Sequence, residues 1–287
     1  MTKPVLYCLV DTETTMKNGL VFDFAFDLMN RKGETLEYGS FLFKDVLTIE
    51  EPFYKEKVAE YWTLAYKHKV KPMTVAAVRR VFNHVLNKYI SKGYKIVICA
   101  YNAAFDVSHL GLTSKEITGL PFLTADTKYV KFFDLWHGWV KGCPKEYGYT
   151  APWTHEFPGT KNPKTGKPYP WNIKTSAEAV YRYISDNHNF QERHVAYADL
   201  IIEKVILLDI LGRKKKLHIV DKPKDFVSHP WKLAQERCRG AIEFRRAKQQ
   251  SMEGIIQHVP ALSQKKGHGT ELCLEDEMQK KDEERGN

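Results

Sequence analysis

The chain has 287 residues, of which 43% are hydrophobic, enough for an ordinary globular core. Forty-four Lys and Arg against 35 Asp and Glu leave a formal net charge of +9, which makes nucleic acid the first partner to consider. No apolar run approaches the roughly 20 residues of a membrane span, and Val5–Val10 is too short for the core of a signal peptide; the expectation is a cytoplasmic protein (in a bacterium, or in a host cell if viral) with no membrane partner.

Val5 to Val10 reads as a buried strand. Phe22-Asp-Phe-Ala-Phe-Asp-Leu28 alternates with period two and predicts a half-exposed strand. Arg31-Lys-Gly-Glu34 predicts a hairpin turn, and Tyr38 to Phe43 a third strand, so the first three form an antiparallel meander. Val75 to Ile90 has helical apolar spacing with Thr74 as N-cap. Ile96 to Ala100 is a buried strand, with a helix beginning near Asn102. Phe132 to Leu135 is a fifth strand.

Trp136 to Trp171 is a connection longer than structure alone requires, rich in Gly, Pro, Lys and aromatics. Thr175-Ser-Ala-Glu178 has the capping-box pattern and opens a helix to about Ser185. Another helix covers about Ala196 to Leu211. This order implies a mixed α/β sheet flanked by helices. From residue 212 the chain turns basic, with a helix expected over Trp231–Gln250. From Leu262 it is polar, ends acidic, and is expected to be disordered. The five cysteines are scattered, with no CxxC pair, so neither a zinc site nor a disulfide framework is expected. Cys8 and Cys99 read as buried thiols.

Three short motifs carry the chemistry. Asp11-Thr-Glu13 closes the first strand, and side chains two apart on a strand share a face. Two carboxylates there repel each other, and burial sharpens the conflict. A hard divalent cation such as Mg²⁺ or Mn²⁺ would resolve it. Asp106 follows the second buried strand and reaches the same sheet edge. His194 precedes the late helix, and Asp199 lies in its early turns. Five residues span about 500° of helix, so His194 belongs on the preceding loop.

Together, Asp11-x-Glu13, Asn102-x-x-Phe105-Asp106 and His194-x-Ala196-x-x-Asp199 resemble the DnaQ-like 3′–5′ exonucleases, the DEDD family within the ribonuclease H-like superfamily. The match spans about residues 4 to 210. His194 places it in the histidine branch; the tyrosine branch would need Tyr at position 195, which is Val. The resemblance implies a ribonuclease H-like fold with a mixed five-stranded sheet, the first three strands antiparallel and the rest parallel. It implies two Mg²⁺ or Mn²⁺ ions held by Asp11, Glu13, Asp106 and Asp199, about 3.5–4 Å apart. It implies His194 as the base that deprotonates the attacking water, releasing nucleoside monophosphates from a 3′ end. It also implies that Thr14 and Phe105 flank the terminal nucleotide and that Asn102 orients the second motif, with Thr12 among the substrate-side residues.

The expected domains are an exonuclease domain, 1–211, and a basic C-terminal extension, 212–287. Trp136, Trp139 and Lys141 open the aromatic and basic segment, which is expected to grip a single-stranded 3′ end by stacking and phosphate contact. The basic stretch Arg213–Lys248 is expected to track a duplex or a longer strand. DNA is the favoured substrate, with a replication or repair partner for the extension. The alternatives are an exoribonuclease or short-oligonucleotide nuclease (oligoribonuclease) of the same family and a nucleic-acid-binding adaptor on a decayed nuclease core.

Overall fold

The computed structural model describes residues 3–47, 52–67, 69–151, 153–154, 166, 172–214, 216–226 and 229–258. Its first compact unit is Met1–Glu243 and its second is Phe244–Asn287. The elements in order are β1 Val5–Thr14, β2 Val21–Met29, β3 Thr35–Phe43, α1 Lys44–Leu47, α2 Pro52–Tyr66, β4 Lys71–Met73, α3 Val75–Ser91, β5 Lys95–Ala100 and α4 Ala103–Thr118. Then come β6 Val130–Asp134, α5 Leu135–Val140, α6 Tyr147–Thr150, β7 Trp153–Thr154, β8 Asn172–Ile173, α7 Ala177–Ser185, α8 Ala196–Arg213, a 3-10 turn Pro223–Asp225, α9 Trp231–Arg237 and α10 Arg239–His258.

The main sheet runs β4-β3-β2-β1-β5-β6. β1, β2 and β3 are antiparallel, whereas β1, β5 and β6 are parallel. The antiparallel-then-parallel order is the one expected. The sheet has six strands instead of five because Lys71–Met73 pairs parallel to Phe41–Phe43 at the edge. Three residues with a central Pro72 give no period-two signal, so this strand is invisible in the sequence. The β2–β3 turn falls where expected: Gly33 adopts φ +83°, and its N–H donates to Asn30 O at 3.0 Å.

Helices cover both faces of the sheet. On one face, Phe24 packs edge-on against Phe82 of α3 and against Phe122, with centroids 5.4 and 5.5 Å apart. On the other, Leu200, Ile206, Leu207 and Ile210 of α8 join Leu9, Ala25 and Cys99 in a second core. This double cover corrects the half-exposed reading of β2. All nine of its residues are buried, Asp23 and Asp27 included. Buried carboxylates need partners. Lys204 of α8 supplies one, its Nζ lying 2.8 Å from Asp27 Oδ2.

Helix starts follow local chemistry. Thr74 Oγ1 accepts from Ala77 N as expected. The cap of α7 is Ser176, whose Oγ accepts from Ala179 N, and not Thr175. Thr175 Oγ1 is taken by Trp136 Nε1, and Glu178 pairs with Arg182 one turn on. The expected helix over Trp231–Gln250 is interrupted at Cys238, between α9 and α10.

The expected division after Leu211 does not coincide with the observed units. Ala234, Cys238 and Ile242 bury their side chains in the second core, and Val220 bridges to Phe132, so residues 212–243 belong to the first unit. Cys8, Cys99, Cys143 and Cys238 are buried free thiols. No helix among the described residues is long and apolar enough to cross a membrane. The expected disordered tail from Leu262 lies outside the described residues.

Candidate active site

β1 outruns its parallel neighbour. Its pairing with β5 ends at Leu9–Cys99, and the strand continues to Thr14 beside β2 alone. Asp11 and Glu13 lie on this overhang, both half-buried. β5 ends at Ala100, and the chain turns into α4 through Asn102, which takes φ +75°. That turn delivers Asp106, only 3% exposed, to the same sheet edge. Thr12, on the opposite face of β1 from Asp11, donates its hydroxyl to Asp106 Oδ1 at 2.8 Å.

The third motif arrives from the other side. His194 takes φ +51° and is exposed. Val195 caps α8 without a side-chain hydrogen bond. The cap comes instead from β2: Asp23 Oδ2 accepts the Ala196 N–H at 2.9 Å and the Tyr61 hydroxyl at 3.0 Å. Arg193 pairs with Glu60 of α2 at 2.7 Å, tying down the loop that carries His194. α8 then places Asp199, 5% exposed, in its first turns. Ligand atoms of Glu13, His194 and Asp199 lie within 4.8 Å of one another.

A further acid joins them. Glu203, 2% exposed, stands one turn beyond Asp199. Its Oε1 accepts the Tyr101 N–H at 2.9 Å. Asp199 Oδ1 and Glu203 Oε2 are buried with no hydrogen-bond partner among the described residues.

The electrostatics follow from this crowding. Burial holds Asp11 well above the usual carboxylate range, helped by Glu203, Asp106, Asp199 and Glu13. Burial pushes Asp106 up to about 7 against the opposing Thr12 hydroxyl. Asp199 is pushed up to about 8 by burial, then by Glu192 and Glu13. Glu203 is raised by burial and by Asp106. Buried carboxylate oxygens without donors, in mutual repulsion, suit divalent cations bound through hard oxygen ligands. The residues present could therefore hold a metal ion: the ligand atoms of Glu13, His194 and Asp199 are grouped, and the carboxyls of Asp11, Asp106 and Glu203 lie close enough to interact with their neighbours' charge.

The expected substrate residues divide. Thr14 is half-exposed after a bulge in β1. Asn102 is exposed, as is Phe105 at 40%, its ring 4.2 Å from that of His109. Lys141 is exposed. Trp136 is half-buried and lies parallel to Tyr101 at 6.1 Å. Two expectations need correction. Thr12 is buried and its hydroxyl is engaged by Asp106, so it supports a carboxylate instead of facing substrate. Trp139 is 1% exposed, packs edge-on against Tyr147 and donates from Nε1 to Asp209 Oδ2, so no base can stack on it. The side chains of Trp153, Lys161, Lys164, Lys167, Tyr169 and Trp171 lie outside the described residues.

Sequence reasoning missed Asp23 and Glu203. The signal for Asp23 was present: an acid inside an otherwise apolar strand. Glu203 had one too, an acid four residues after Asp199 on an otherwise apolar helix face.

No protein-family model matches the chain, and no curated protein matches it. Among solved structures, the chain is similar to the zinc-bound form of E. coli ExoI in complex with single-stranded DNA, with a TM-score of 0.48 and 13% identity over 75% of this chain. That match takes in 42% of the ExoI chain, so the protein spans less than half of its length. The chain is also similar to Exonuclease X in complex with 5′-overhanging duplex DNA, with a TM-score of 0.38, 16% identity, and coverage of 79% of this chain and 99% of that one.

Proposed function

We propose that the protein is a metal-dependent 3′–5′ exonuclease of the DnaQ-like, histidine-branch type on a ribonuclease H-like core. The observation that carries this reading is that ligand atoms of Glu13, His194 and Asp199 lie within 4.8 Å of one another at the sheet edge that also bears Asp11 and Asp106, and that Asp199 Oδ1 there is buried with no hydrogen-bond partner among the described residues.

Asp11, Glu13, Asp106 and Asp199 would hold two Mg²⁺ or Mn²⁺ ions. Bound there, such ions supply Lewis-acid activation of water and neutralise charge on the scissile phosphate. His194 takes the proton of the attacking water on a ring nitrogen, a task to which imidazole is suited near neutral pH. Exposure keeps that ring reachable by water and substrate, while Asp23 and Glu60 hold the elements on either side of it. Thr12 keeps the Asp106 carboxylate oriented. Phe105 and Thr14 flank the 3′-terminal nucleotide, and Asn102 sets the turn that presents Phe105. Lys141 contacts the phosphates of the remaining strand, with DNA the favoured substrate.

The test is degradation of strands labelled at the 5′ or the 3′ end, as single-stranded DNA, duplex DNA and RNA, with Mg²⁺ or Mn²⁺. Stepwise shortening of the 5′-labelled strand and early release of the 3′ label as a monophosphate are expected, with both lost in Asp11→Asn. Full activity in Asp11→Asn would overturn the assignment. Faster loss of RNA than of DNA would move the substrate to the exoribonuclease class.

A further inference from the structure

We infer that Glu203 is a fifth carboxylate of the cation centre, turning Oε2 toward the bound cations while Oε1 holds the backbone of Tyr101. The inference rests on the reading of the acidic cluster as a divalent-cation site and extends it by one residue.

The placement is direct. Residues four apart on a helix share a face, so Glu203 lies on the Asp199 side of α8. Its Oε1 accepts the Tyr101 N–H at 2.9 Å, which fixes the carboxylate against the turn between β5 and α4. Its Oε2 is buried and has no hydrogen-bond partner among the described residues. Its neighbours are acids: its charge acts on Asp11, and the charges of Asp106 and Asp199 act on it, each raising the other's hold on a proton. The adjacent Lys204 points away from it, pairing with Asp27.

A purely structural role does not account for this choice of side chain. A Gln amide oxygen would accept from Tyr101 equally well, and it would not repel Asp11 and Asp106. A buried carboxylate with one empty oxygen costs free energy unless a charge partner arrives. A divalent cation is that partner. With Glu203 counted, five acids would share the four positive charges that two divalent ions bring, so the acids would outnumber the charge they must balance. Divalent cations should therefore bind tightly before any nucleic acid is present. Glu203 also links the third motif to the second, because the Tyr101 turn leads directly to Asn102 and Asp106.

The test is calorimetric titration of Mn²⁺ into the full chain without nucleic acid, with thermal midpoints measured in EDTA and in saturating Mn²⁺. Glu203→Gln keeps the Tyr101 acceptor and removes the charge. It should raise the midpoint in EDTA, shrink the rise that Mn²⁺ produces, and weaken Mn²⁺ binding by about 10- to 100-fold. Mn²⁺ affinity equal to wild type in Glu203→Gln would overturn the inference. Should the Gln variant not fold, Glu203→Ala is titrated in the same way, and wild-type affinity there overturns the inference equally. Wild type that binds Mn²⁺ but shortens no labelled strand would overturn the exonuclease reading and leave Glu203 in the cation centre. Active enzyme whose Glu203→Gln variant binds Mn²⁺ normally would overturn the role of Glu203 alone.

Discussion

The Thr12 hydroxyl donates to Asp106 Oδ1 at 2.8 Å, joining the end of β1 to the first turn of α4. Both side chains are buried. Thr12→Val keeps the shape and deletes the donor. The loss of a buried hydrogen bond to a carboxylate should cost about 1.5–3 kcal/mol in urea unfolding. Thr12→Ser should restore most of it. Equal stability of wild type and Thr12→Val would mean that Asp106 is satisfied by something else.

Stability of the metal-free protein should fall as pH rises. Asp106 and Asp199 are raised in the fold to about 7 and about 8, from an ordinary value of 3.8. Between about pH 4 and 8 the folded state keeps protons that the unfolded state has released, so stability is greatest at the acid end of that window. Unfolding midpoints in EDTA from pH 5 to 8.5 check the sign. Saturating Mg²⁺ should flatten the slope, because it replaces those protons. A midpoint in EDTA that climbs across this range would contradict the crowding of the acids.

Asp23 should govern the start of α8 from another strand. Its Oδ2 accepts the Ala196 N–H at 2.9 Å, where Val195 offers no side-chain cap. Loss of an N-cap costs about 0.5–2 kcal/mol. In Asp23→Ala, hydrogen exchange at Ala196 should accelerate, and kcat should fall more than KM rises because His194 loses its support. Unchanged exchange at Ala196 would argue against this cap.

Phe105 and Trp139 should behave oppositely. Phe105 is 40% exposed and Trp139 is 1% exposed. Phe105→Ala should weaken binding of a single-stranded 3′ end by about 1–3 kcal/mol, the value of one stacked base, and leave the thermal midpoint near wild type. Trp139→Ala should destabilise the fold by about 3–5 kcal/mol. Filter binding and chemical unfolding on both variants separate the two roles.

The sequence by itself determined what is written in short-range patterns. The strand of Val5 to Val10, the helix capped by Thr74 and the helix ending near Leu211 all come from local periodicity and capping, and they recur in the structure. The acids of the three motifs were legible for the same reason, since each sits where a strand ends or a helix begins. Only the tertiary structure decided what depends on which surfaces meet. Alternation in Phe22–Leu28 marks two unlike faces but not whether the polar one meets water, and α8 buried it. Trp139 has the same side chain as a stacking tryptophan, and only its packing against Tyr147 makes it core. Asp23 and Glu203 gained their meaning from elements 173 and 102 residues away in the chain, through the hydrogen bonds to Ala196 and Tyr101. A buried carboxylate is costly until its partner is known, and that partner is set by topology, not by neighbours in sequence.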